Sequence, residues 1–184
     1  MKKIIIALLI ILSTILLFNY VKKTDKTIYG NNDKEILEAL NSDEMLGGIS
    51  KSNITLLDTL SIEDTKVTGF YSDKSSGYIS FEKNKLNDYV FKEASAYDHK
   101  VDGLQTYHYC IQFNRNGKNS LGLVFIKNVN DNISYAEVSV NNEKPIKIDF
   151  KDKSMALVDL NKETKESNIT VKYFDKDSKL VREG

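Results

Sequence analysis

Among the residues able to do chemistry, His108 and Cys110 stand two apart, so on a strand both side chains leave the same face. His99, Asp98 and Asp102 lie just before them in sequence. A zinc site needs three or four such ligands converging at about 2.0 to 2.3 Å. The spacing fits no finger or hydrolase pattern, and Tyr107, Tyr109, Ile111 and Phe113 on the same stretch already supply a core face. The pair therefore reads as solvated or packed at an edge. Cys110 is the single cysteine, which excludes an internal disulfide and makes an inert buried thiol the plain expectation.

Two oxygen-rich runs suggest calcium: Asn128, Asn130, Asn132 and Ser134, and Asp175 with Asp177. Neither has the glycine and distal bidentate Glu of an EF-hand loop, and turns rich in Asn and Asp look the same. The chain has no nucleophile elbow, no H-E-x-x-H and no phosphate-cradling glycine loop. Its acids are plentiful enough for a two-carboxylate hydrolase, but without a Trp it lacks the usual platform for stacking a sugar. Most of the ten Tyr and eight Phe read as core or cross-strand pairs. Some of them, such as Tyr71, Tyr78 and Tyr97, could line an exposed face that binds peptide or glycan. No residue is assigned a catalytic, cofactor-binding or metal-ligating role, and no cofactor is expected.

The elements that must hold these residues begin with an apolar N-terminus. Lys2 and Lys3 precede a stretch from Ile4 to Val21 that Lys22 and Lys23 close. As a helix these 18 residues rise about 27 Å, close to a hydrocarbon core of about 30 Å. No small-x-small cleavage site follows Phe18, so residues 1–23 are expected to stay as a single transmembrane signal anchor in contact with lipid, secretion after cleavage being the alternative. The form of an export signal puts the rest of the chain outside the cytoplasm, although the lysines flanking the span are nearly balanced. A juxtamembrane linker over 24–31 is short, since Thr24 to Gly30 reach at most about 25 Å.

Residues 32–184 read as one mainly β domain. Asn32 or Asp33 caps a short helix with Ile36, Leu37 and Leu40 on one face, and Gly47 and Gly48 end that region. From Asn53 onward the period changes to that of strands, expected near 54–60, 67–71, 77–83, 89–96, 106–113, 121–127, 133–140, 146–150, 155–160 and 169–174. Ile146, Ile148 and Phe150 alternate with charged residues, so that strand has one wet face. The strand from Leu121 is apolar on both faces and is expected to be central. Asn141 and Asn142 tolerate the positive φ of a tight turn. Ten short strands with few helices imply an antiparallel meander forming a curved sheet, sandwich or open barrel.

The stretch VTGFYSDKSSGYISFEKNKLNDYVF (67–91) and the closing VKYFDKDSKL resemble small, uncharacterised, membrane-anchored or secreted extracytoplasmic proteins of Gram-positive bacteria. The resemblance implies an apolar N-terminus followed by a β domain ending in a Tyr-Phe-Asp turn, and transfers no active residue.

Net charge is zero, but without the four lysines that flank the apolar stretch, 22 of the 26 basic residues remain against 26 acidic ones. A mildly acidic domain with no basic stripe is a poor ligand for nucleic acid. The function expected is a membrane-tethered extracytoplasmic binding or accessory domain without catalysis, with a protein or cell-envelope partner. The alternative is a small cell-envelope hydrolase using paired carboxylates.

Overall fold

The computed structural model describes residues 27–42, 53–73, 75–98, 106–127, 131–151, 153–160 and 168–184. The expected span over 1–23 and the glycines at 47 and 48 lie outside these residues. Among the described residues no helix is long and apolar enough to cross a membrane.

The helix forms where the sequence places it, as α1 (Asp33–Leu40). Asn32 caps it: its Oδ1 accepts the Glu35 N–H at 3.0 Å, while the Glu35 carboxylate accepts from the Asn31 N–H at 2.8 Å. This reciprocal capping satisfies donors that an eight-residue helix cannot pair internally. Just before it, residues 28–31 lie along the start of a strand at Tyr89, with Gly30 N–H on Tyr89 O and Phe91 N–H on Ile28 O. The end of the expected linker is thus already docked.

All ten expected strands form: β1 (Thr55–Ile62), β2 (Thr65–Tyr71), β3 (Ser75–Lys83), β4 (Tyr89–Asp98), β5 (Tyr107–Arg115), β6 (Lys118–Ile126), β7 (Ile133–Val140), β8 (Ile146–Asp149), β9 (Met155–Asp159) and β10 (Ile169–Asp175). An eleventh, β11 (Leu180–Glu183), returns from the final turn to pair with β10. Among the described residues the protein is mainly antiparallel β, in three sheets with no closed barrel. The meander holds only for the first sheet, β1-β2-β3-β4; the others are ordered β5-β6-β9 and β11-β10-β7-β8. Strand β9 therefore leaves the chain's local order to join β6, and β10 returns to β7.

Three apolar clusters show how these elements stack. Helix α1 covers one face of the first sheet at Phe70, Ile79 and Phe81. The other face of that sheet meets the β5-β6-β9 sheet around Val67, Tyr78, Tyr109, Ile111, Val124 and Ile126. The far side of that middle sheet, through Leu123 and Phe125, packs on Val138, Ile148, Val171 and Tyr173 of the third. Strand β6 is apolar on both faces because each face meets its own core, as its sequence predicts.

Strand β1 solves a local conflict. Leu57, Leu60 and Ile62 all pack into the middle cluster, although strict alternation would turn Leu57 away from the other two. A bulge between Leu56 and Thr59 inserts one residue and resets the alternation. Opposite it, Gly69 lets the sheets close, since a Cβ there would lie 2.8 Å from Ile126 Cδ1. Asn141 and Asn142 adopt φ of 51° and 61°, as expected for a turn, but the strands resume pairing only at Val138 with Ile146. The link is longer than a two-residue hairpin.

Candidate functional site

Strand β5 places His108 and Cys110 on one face, opposite buried Tyr109, Ile111 and Phe113. They do not form a metal centre in the described structure. His108 Nδ1 lies 2.7 Å from the Tyr173 hydroxyl, against the Phe125 ring. Burial, and then the Arg182 guanidinium, push its pKa below the ordinary histidine value. Burial likewise raises the Tyr173 phenol to about 12. Cys110 is exposed, which corrects the expectation of a buried thiol: β5 edges its sheet, and the third sheet covers that face at His108 but not at Cys110. Asp98 is exposed at the end of β4, while His99 and Asp102 lie outside the described residues. Among the described residues no three of His, Cys, Asp and Glu converge as metal ligands.

The second calcium candidate is a hairpin turn. Asp175 Oδ1 accepts the backbone N–H groups of Asp177 and Lys179, both at 2.9 Å, and Ser178 takes a φ of 61°. Its carboxylate is spent on its own loop, which is why Asp and Asn recur there. In the first candidate, Asn128 and Asn130 lie outside the described residues; Asn132 is exposed and the Ser134 carbonyl accepts from Phe150.

The expected aromatic face is only partly present. Tyr97 is 51% exposed, and Tyr71 is half-buried. Tyr78 is buried, because β3 is an inner strand covered on both sides. Its ring meets Tyr109 edge-on at 5.0 Å and its hydroxyl donates to Glu93 Oε1 at 3.2 Å. Tyr97 stacks on Tyr109 at 5.2 Å, so even the exposed ring is tied down on one side.

The larger site lies elsewhere. A groove of about 980 Å³ opens where β1, β8 and β9 come together, each the edge strand of a different sheet. Its walls carry Leu60 and Ile62 from β1, Ile146 and Ile148 from β8, and Leu157 and Val158 from β9. A smaller pocket of about 400 Å³ continues along β1 from Thr55 to Asp58. Between the two, Ser154 Oγ donates to Asp58 Oδ2 at 3.1 Å and ties β1 to the start of β9.

Three acids line the larger groove, and each has a structural partner. Asp58 holds Ser154, Asp149 accepts the Lys151 N–H at 2.8 Å, and Asp159 is hydrogen-bonded to the Arg115 guanidinium. None of these residues stood out in the sequence, because what unites them is that their strands lie at sheet edges. Pro145 just before β8 is the one local hint, since proline is confined to edges and strand starts. No protein-family model, curated protein or solved structure matches this chain.

Proposed function

We propose that the chain is a non-catalytic binding or accessory domain, tethered by its apolar N-terminus to the outer side of a bacterial cytoplasmic membrane. This agrees with its resemblance to small extracytoplasmic proteins of Gram-positive bacteria. The observation that carries the binding reading is the groove between β1, β8 and β9, whose acids are each turned to a partner within the fold. A glycoside hydrolase of the paired-carboxylate kind needs two carboxylates facing one bond. Here a ligand meets apolar wall, strand edge and the flanking Lys147 and Lys153, which suits recognition rather than cleavage.

The test uses the full chain produced in a Gram-positive host. It is expected to stay with membranes after an alkaline carbonate wash, and a photo-crosslinking residue replacing Ile146 in the groove is expected to give adducts. The same group replacing Lys172, in β10, is expected to give none. A chain that washes free with its N-terminus unaltered removes the tether. Hydrolysis of envelope polysaccharide that disappears in Asp58→Asn replaces binding with the carboxylate reading.

A further inference from the structure

We propose that the groove receives an extended segment of a partner polypeptide, which adds as a strand to the outer edge of β9 at Leu157. This rests on the binding-domain reading and names the chemistry of what is bound.

The backbone supplies the argument. Leu160 N–H donates to Leu121 O at 3.0 Å and Lys127 N–H to Ser154 O at 2.8 Å, which sets the phase of the β6–β9 ladder. Residues 154, 156, 158 and 160 of the β9 segment therefore bond to β6, and in an antiparallel pair the residues between them point the other way. The N–H and C=O groups of Met155 and Leu157 thus point away from β6; Met155 is only 2% exposed, so it is at Leu157 that they open on the groove. On β1 the Ile62 and Thr65 pair closes a two-residue turn, so Thr59 and Ser61 turn their backbone groups outward in the same manner. The Thr59 and Thr68 hydroxyls, 2.8 Å apart, fit such a non-hydrogen-bonded pair, in which side chains approach closely.

Two strand edges therefore open on one cleft with donors and acceptors at the repeat of an extended chain. Flanking them are apolar walls, with Ile146 left 42% exposed. A strand with apolar side chains at alternate positions satisfies both features at once. A sugar would find no aromatic ring among the described residues lining the groove, and a lipid chain would leave the edge amides unpaired. The slot has a defined stop, because the β1 bulge and the Asp58 to Ser154 hydrogen bond close it at one end. What remains runs beside residues 59–62 and 156–159, room for a strand of about four residues, or roughly 13 Å.

The probe is a displayed library of linear ten-residue peptides, selected on the full chain in detergent micelles. Selected peptides are expected to show apolar alternation and to slow amide hydrogen exchange at Leu157. Methylating the peptide nitrogens that face β9 is expected to weaken binding by about tenfold or more, through the lost hydrogen bonds. Leu157→Pro is expected to do the same, because it removes a donor aimed at the groove and leaves the β6 ladder intact. N-methylation in the peptide gives the same answer should that variant not fold. Peptides that bind without protecting Leu157, or that tolerate N-methylation, overturn strand addition. A failed selection, with the Ile146 crosslinker still giving adducts in cells, overturns the polypeptide partner and leaves the binding domain standing. Failure of both removes the two readings together.

Discussion

Strand β6 should behave as a partition between two cores, and a pair of substitutions at neighbouring positions can measure that. Val124 packs in the cluster between the first and middle sheets, and Phe125 in the cluster between the middle and third. Val124→Ala removes two methyl groups, worth about 1.6 kcal/mol of transfer free energy, and about 2 to 3 kcal/mol with the cavity they leave. Phe125→Leu keeps part of its volume and should cost about 1 to 2 kcal/mol, less than the 3 to 5 kcal/mol typical of complete truncation. Their sum of about 3 to 5 kcal/mol lies within the stability of most domains, so the double variant remains measurable. If the sheet separates the two cavities, the coupling between these sequence neighbours stays below about 0.5 kcal/mol. Phe125 and Phe150 offer the contrast, with ring centroids 5.7 Å apart in one cluster. Phe125→Leu and Phe150→Leu open adjoining space and should couple by roughly 0.5 to 3 kcal/mol. Denaturant unfolding of the full chain in mild detergent, with both cycles run side by side, supplies the free energies of the parent chain and its five variants. Coupling between Val124 and Phe125 as large as that between Phe125 and Phe150 would refute the layered arrangement and put both residues in one continuous core.

Gly77→Ala should lower the melting temperature by several degrees, because a Cβ there would sit 2.3 Å from Ser95 O and 2.7 Å from Ala96 Cβ on the neighbouring strand. Separating β3 from β4 costs about 1 to 3 kcal/mol, and a change of under about 1 °C in thermal unfolding would show that the strands absorb it. His108 makes stability depend on pH. Burial and Arg182 lower its folded pKa below 6.5, so as pH falls the unfolded chain takes up this proton first. The contribution is complete above the unfolded value and declines as pH drops from 6.5 toward the folded value. His108→Gln should flatten the stability curve in that window by up to about 1.4 kcal/mol per pH unit, and curves of equal slope would mean that the ring does not titrate differently on folding.

Much of the fold was written in local pattern. The period-two alternation located ten strands, Asn32 or Asp33 marked the start of α1, and the double-sided apolar run from Leu121 to Ile126 announced an inner strand. The short β11 escaped notice because Leu180, Val181, Arg182 and Glu183 offer too little alternation to distinguish a strand from a tail. Tyr78 and Cys110 show the limit more sharply. Each lies on a well-predicted strand, yet burial of the first and exposure of the second depend on whether another sheet covers that face.

The sequence by itself determined α1, ten of the eleven described strands and which strand could lie between two cores, since side-chain polarity records whether a face meets water. Only the tertiary structure decided that β9 would leave its neighbours to join β6, and that three edges would meet along one groove. Hydrogen bonds between strands run through the backbone, which is nearly the same at every residue. Which edge goes unpaired is therefore settled by how the layers stack, not by the local pattern of side chains.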